Sequence, residues 1–189
     1  MPVDAWGYKG PLGEWLAVIV RYKLLDGSKT YRPWTSWMRG NESNIQWQIR
    51  DPPGRLPLYN LDQLTACPHA PVIIVEGEKS ADAASLLAPH GWIATTCMHG
   101  ARSQPKTDLM PLQGRVVVCI PDNDEDGLSA MAKLERLLRP IVRKVVVIPP
   151  DSIERRRGHG RLPRKWDLAN GLEEKLSPEW LKQLLLEVL

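Results

Sequence analysis

The chain contains no phenylalanine, so tryptophan and tyrosine must supply every aromatic ring it uses. Cysteine is scarce. Cys67, Cys97 and Cys119 are widely spaced, and no CxxC occurs, which argues against a disulfide-stapled scaffold or a zinc knuckle. A repeated Cys-x-His, in Cys67-Pro68-His69 and Cys97-Met98-His99, has the chemistry of a zinc site. Each pair flanks an apolar strand, however, where a buried thiol is ordinary. Charge is not in large excess: a net +3 neither requires nor excludes a nucleic-acid partner. No apolar run approaches membrane-spanning length, and no basic-then-apolar leader opens the sequence. A cytoplasmic protein with no membrane partner is expected, with an inert Asn41-Glu42-Ser43 sequon. Nucleotide and metal signatures are missing too. Gly77-Glu78-Lys79-Ser80 lacks the earlier glycine and the Gly-Lys pair of a Walker A loop, and neither HExxH nor GxGxxG is present.

Two short β-branched runs stand out, Val72–Val75 and Val116–Ile120. Each is followed by a helical pattern, as buried parallel strands are. Each also ends in acid: Glu76 after the first, and Asp122, Asp124 and Asp126 after the second. Ligands bind at the carboxyl ends of strands in open α/β sheets. If the two strands are neighbours, these acids share one rim. Clustered carboxylates repel unless a cation lies between them, and oxygen ligands of this kind suit Mg²⁺ or Mn²⁺. The run Asp122-Asn123-Asp124-Glu125-Asp126-Gly127 copies the start of an EF-hand loop, but its twelfth position is Lys133 instead of the required glutamate. Helix capping by Asp124 or Asp126 is the plain alternative. It needs one acid, and this turn carries four.

The length of 189 residues suits one α/β domain with a small addition. Residues 1–55 read as a β-rich appendage. Leu16–Leu24 and Lys29–Arg32 form a hairpin about an Asp26-Gly27 turn. Trp34, Trp37 and Trp47 are either stacking platforms for bases or, in a chain without phenylalanine, core residues; core packing is the expectation. Asp51-Pro52-Pro53-Gly54 breaks the pattern. Residues 56–189 read as the main domain. A short helix over Leu61–Ala66 is capped by Asn60, and strands cover Val72–Val75, Ile93–Cys97, Val116–Ile120 and Val145–Ile148. Helices cover Lys79–Ala88, Leu128–Leu138 and 178–188, the last with Trp180, Leu181, Leu184, Leu185 and Val188 on its apolar face. Residues 105–112 hold a single helical turn. The basic stretch 151–165 is expected to be a mobile loop. Repeated βα units favour a parallel sheet with helices on both faces.

Val75-Glu76-Gly77-Glu78-Lys79 with Pro121-Asp122-Asn123-Asp124-Glu125-Asp126-Gly127 resembles the Toprim domain of primases, topoisomerases and some nucleases. The likeness spans residues 70 to 150. Pro57–Leu61, Gly100-Ala101 with Lys106 and Asp108, and Lys165-Trp166-Asp167 are similar to the primase-like branch of phages, plasmids and prophages. The resemblance implies an α/β Toprim (Rossmann-like) fold and a metal-dependent nucleotidyltransferase that makes primers on single-stranded DNA. By the same resemblance Glu76 is the general acid/base or helps to position metal, and Asp122 and Asp124 are the metal ligands, with Asp126 and Asp167 adding to the set. It implies Mg²⁺ or Mn²⁺ as cofactor, and nucleoside triphosphates and a single-stranded template as partners. The sequence shows neither the zinc-binding module nor the helicase of family primases, so the expectation is either a fragment of a larger replication protein or a chain served by a replicative helicase or a separate zinc-binding module. Lys79, Arg102, Lys106, Arg155, Arg156 and Arg157 are candidate contacts to nucleotide or DNA phosphates, with Arg21, Lys23, Arg32 and Arg39 tracking the template. A Toprim-type nuclease and a non-catalytic nucleic-acid-binding module remain alternatives.

Overall fold

The computed structural model describes residues 1–38, 45–158 and 160–189. Arg39 and the sequon Asn41-Glu42-Ser43 lie outside the described residues. The chain opens with β1 (Pro2–Lys9), β2 (Trp15–Lys23), β3 (Lys29–Met38) and β4 (Ile45–Ile49). They form an antiparallel meander in that order. The Asp26-Gly27 turn forms as expected. Gly27 has φ 82°, and Asp26 Oδ1 accepts from the Ser28 N–H at 2.9 Å, a local bond that Asp makes readily in turns.

The alternating half follows. α1 (Leu61–Ala66), β5 (Val72–Ile74), α2 (Glu78–Leu87) and β6 (Ile93–Thr95) precede two 3₁₀ turns, Gly100–Lys106 and Met110–Leu112. Then come β7 (Val116–Cys119), α3 (Glu125–Leu138), β8 (Lys144–Val147), α4 (Pro150–Arg157), α5 (Leu168–Glu173) and α6 (Pro178–Val188). The four strands are parallel in the order β6-β5-β7-β8. The apolar runs alternate sides, as the pleat requires. Val72, Ile74, Val117 and Cys119 pack against Leu64, Leu112, Met131 and Leu134. Ile73, Val75, Val118 and Ile120 face Leu87, Leu168, Leu181 and Leu184. Burying each such side chain contributes about 1.5–3 kcal/mol.

The N-terminal sheet shares the second of these layers. Trp6, Tyr8, Ala17 and Ile19 belong to the same buried cluster as Ile73 and Ala81. Polar bonds lock the seam. Tyr8 Oη donates to the buried Glu78 carboxylate at 2.8 Å, while Trp6 Nε1 and Tyr59 Oη both donate to Asp82, each at 2.9 Å. Burial raises the Glu78 carboxyl pKa, and the Tyr8 hydroxyl opposes that rise. Tyr8→Phe removes the donor and leaves the carboxylate buried, so we expect a loss of about 1.5–3 kcal/mol in urea unfolding. A loss within experimental error would show that this bond does not hold the seam.

Three expectations are corrected. Trp34 and Trp37 are only half-buried and Trp47 is exposed, so none is a core residue. Trp34 and Trp47 fall on the face of the meander opposite Trp6 and Tyr8, and Trp37 lies towards the open edge strand, its ring beneath the Arg50 guanidinium at 3.0 Å. The basic stretch is not a loop throughout: Pro150–Arg157 is helical, ended by Gly158 at φ 74°, where glycine takes the left-handed conformation without strain. Asn60 makes no side-chain cap on α1; its Nδ2 donates instead to the Ala94 carbonyl at 2.9 Å. In α6, Leu181, Leu184 and Leu185 are buried as expected, and the Val188 side chain lies outside the described residues.

Candidate active site

β5 and β7 are direct neighbours, with Ile74 opposite Cys119. Their carboxyl ends therefore deliver Glu76 and Asp122 to one rim. Glu76 Oε1 accepts from the Asp122 backbone N–H at 3.1 Å. Two glycines permit this convergence. A Cβ on Gly127 would collide with Glu76 Oε1 and the Asp122 carbonyl, and one on Gly100 would stand 3.0 Å from the Glu76 carbonyl. A glycine inside a helix is normally improved by alanine, by about 1 kcal/mol. At position 127 the sign reverses. Gly127→Ala is expected to destabilise by about 1–3 kcal/mol and to cost metal-dependent activity at least tenfold. Thermal melting beside a rate assay checks both, and a stabilised, fully active variant would refute the packing.

The remaining acids arrive by capping. Asp124 is the N-cap of α3 and accepts from the Gly127 N–H through Oδ1 at 2.8 Å. Asp126 sits exposed in the first turn of that helix. Asp167 is the N-cap of α5 in a capping box with Asn170, accepting from its N–H at 2.9 Å. Asn123 explains how Asp167 reaches the rim. Its side chain donates to the carbonyls of Leu162 and Pro163, each at 3.0 Å, and its backbone pairs with Trp166 and Lys165. The segment before α5 is thus tied to the acidic turn.

The electrostatics are those of unneutralised carboxylates. Burial pushes the Asp122 carboxyl up to about 8, with the charges of Glu76, Asp167 and Asp124 adding and Lys165 opposing. Burial also raises Glu76, against the Asp122 N–H bond and reinforced by Asp124, Asp126 and Asp167. Among the described residues, none of these five acids is in an ion pair with lysine or arginine. Nor do three His, Cys, Asp or Glu side chains form a ready-made ligand group. The set is open, all hard oxygen, and short of positive charge. That chemistry fits Mg²⁺ or Mn²⁺, which keep several water ligands and need few protein oxygens.

Glu76, Asp122 and Asp167 line a cleft of about 770 Å³. Lys79, Arg102 and Lys165 line it too, and its opposite wall is the N-terminal sheet, through Trp6, Ile19, Arg21, Lys29 and Tyr31. Lys79 also pairs with Glu173 at 2.9 Å. Lys106 is exposed away from this lining, and its carbonyl accepts from the Leu56 N–H at 3.0 Å. The arginines of α4 are placed elsewhere. Arg155 bonds Ser152, Arg156 pairs with Glu187 at 2.5 Å, and Arg157 pairs with Glu174 at 2.9 Å with its guanidinium over Trp166. Arg156 and Arg157 join α4 to α6 and to the end of α5. Lys165 belongs to a run already singled out in the sequence, whereas Lys29 and Tyr31 were not expected as cleft residues. Nothing local marks those two. Another cleft, of about 680 Å³, lies on the far rim among His69, Trp92, Arg143 and Lys144, away from every acid of the set.

No protein-family model and no curated protein sequence matches the chain. Solved structures do match. The primase fragment of the bacteriophage T7 primase-helicase superposes with a TM-score of 0.56 at 17% identity, over 95% of this chain and 62% of that one. The Aquifex aeolicus primase, as its zinc-binding and RNA polymerase domains, gives 0.58 at 19%, over 97% and 40%. A DnaG primase catalytic domain bound to single-stranded DNA gives 0.53 at 15%, over 98% and 52%. The fold is a primase-like Toprim fold. This Toprim fold therefore spans between two fifths and two thirds of the primase chains it resembles, and at such identities the likeness is one of architecture. Within it, β5 and β7 carry the acids at adjacent strand ends, and no helix among the described residues is long and apolar enough to cross a membrane.

Proposed function

We propose that the chain is a primase catalytic core that joins nucleotides into short primers on single-stranded DNA. The carrying observation is the adjacency of Glu76 and Asp122 on a rim facing a cationic, aromatic wall. In the reaction a 3′-hydroxyl oxygen bonds to the α-phosphorus of a nucleoside triphosphate, and the bond to the pyrophosphate oxygen breaks. Mg²⁺ or Mn²⁺ held by Asp122, Asp124 and Asp167, with Asp126 nearby, would supply charge neutralisation for the triphosphate. Glu76 Oε1 is engaged by the Asp122 N–H. Oε2 is then the oxygen that takes the hydroxyl proton, and the raised pKa of this carboxyl suits it to do so. Lys79, Arg102 and Lys165 hold phosphates at the cleft, and Arg21 and Lys29 hold the template. The placement of Lys106, Arg155, Arg156 and Arg157 leaves these four out of the proposed contacts. The N-terminal meander (1–55) and the Toprim half (56–189) act as two lobes about this cleft.

Incubation with single-stranded DNA, labelled nucleoside triphosphates and Mg²⁺ or Mn²⁺ tests the reading. Template-dependent oligonucleotides that grow with time are expected. Shortened DNA would replace it with a nuclease, and DNA binding without turnover would leave a binding module. A helicase or a separate zinc-binding module would be expected to raise the rate on long templates.

A further inference from the structure

The meander has a second face that the cleft does not use. Its buried residues Trp6, Tyr8, Ala17 and Ile19 all point one way. Because neighbours alternate, the register sets Val18, Val20 and Tyr22 of β2, Trp34 of β3 and Trp47 and Ile49 of β4 on the other side. Trp15 joins them: a Cβ on Gly7 would strike its ring, so that ring lies over Gly7 on this face. Trp15 is 53% exposed and Trp47 45%, and Trp34 and Tyr22 are half-buried. Leaving aromatic rings in water forgoes their largest contribution to folding. A chain without phenylalanine has nonetheless left four of them on one sheet surface.

The chemistry around the rings selects a partner. Among the described residues, no aspartate or glutamate alternates onto this face from β2, β3 or β4. Lys9 stands over the Trp15 ring at 5.4 Å, and Arg32, opposite Val20, lies on the face and is exposed. Trp34 Nε1 donates to Tyr22 Oη at 3.0 Å, which holds two rings in fixed relation. Rigid rings with cations among them and no carboxylate from these three strands are complementary to unpaired bases on a phosphate backbone. An acidic helix would meet the cations but leave the indole surface poorly matched. A second copy of the chain would bring cations against cations.

We infer that the outer face of the N-terminal meander is a second single-stranded nucleic-acid site. Trp15, Trp34 and Trp47 stack on bases, and Lys9 and Arg32 contact phosphates. It holds strand that lies outside the acid-lined cleft. The inference shares its partner class with the proposed function, so binding is read in EDTA without nucleoside triphosphates, where catalysis plays no part.

The probe is a labelled oligothymidylate, followed by fluorescence anisotropy and by the intrinsic tryptophan emission. A Trp15→Ala/Trp47→Ala double variant is expected to bind at least about tenfold more weakly. Trp15→Phe/Trp47→Phe, which keeps a stacking surface, is expected to recover most of that loss. Arg32→Gln should reduce the slope of log affinity against log salt by about one. Circular dichroism confirms that each variant is folded. Unchanged affinity in the alanine variant together with an unchanged salt slope in Arg32→Gln overturns the inference. A dimer in sedimentation that Trp47→Ala dissolves, with oligonucleotide affinity untouched, overturns it in favour of self-association. If primer synthesis fails while these binding losses are seen, the proposed activity falls and the site stands.

Discussion

Asp122→Asn is expected to lower the metal-dependent rate by at least about a thousandfold while making the metal-free protein more stable. The two effects have one cause. Asp122 is placed where negative charge is costly, by burial first and then by Glu76, Asp167 and Asp124. An amide removes that charge and with it the ligand oxygen for an ion. Ligation of transferring phosphates contributes several kcal/mol, and each 1.36 kcal/mol is about tenfold. Asp124→Asn should lose activity comparably while the start of α3 holds, because an asparagine Oδ1 can still accept from the Gly127 N–H.

The sign of the pH dependence follows from the raised carboxyl. In the unfolded chain Asp122 ionises in the ordinary range near about 4, and in the folded one near about 8. The folded state therefore binds the extra proton between those limits, and stability falls as pH rises through that window. In EDTA the melting temperature of the wild type should decline from about pH 4 to about pH 8. The Asn variant should lack that part of the decline, and Mg²⁺ should restore stability only to the wild type. A variant with wild-type rates, or one whose metal-free melting curve keeps the full decline, would remove Asp122 from the site.

Arg115→Met should be the most damaging single change to stability, at about 3–5 kcal/mol. Arg115 is 4% exposed and precedes β7. Its guanidinium donates to four backbone carbonyls: Leu64 at 2.5 Å, Cys67 at 2.6 Å, Pro111 at 2.9 Å and Ala70 at 3.0 Å. These belong to the end of α1, to the loop entering β5 and to the second 3₁₀ turn. One planar fork thus satisfies acceptors from three segments. Methionine preserves volume but strands the carbonyls, and each buried unsatisfied group costs about 1–3 kcal/mol. Lysine should rescue little, because an ammonium cannot reproduce the fork. The residue stands at the rim opposite the acids, so activity per folded molecule should persist. Urea unfolding measures the loss, and a cost below about 1 kcal/mol would mean that water replaces the guanidinium at those carbonyls.

Much of this was readable residue by residue. Val72–Val75 and Val116–Ile120 are β-branched runs ending in acid, and both form parallel strands whose acids share a rim. The hairpin about Asp26-Gly27 formed in register. Where the reading failed, the cause was non-local. Trp34 and Trp47 looked like core because no phenylalanine competes for it, yet strand alternation sends them to the outer face. The arginines of 151–165 looked like a solvated loop because Gly158 and Gly160 punctuate them. Instead Ile153 is buried and Arg156 and Arg157 find glutamates far along the chain.

Local composition alone determined that acids would terminate two buried strands, because a β-branched run and the residue that ends it are contiguous and need no partner to be recognised. Only the folded chain could decide that Asn123 draws Asp167 to those acids, that the N-terminal meander closes the cleft, and which face each tryptophan takes. Each of these depends on contacts between residues tens of positions apart. Their direction is set by sheet register and by buried polar bonds, neither of which is written in any single stretch of sequence.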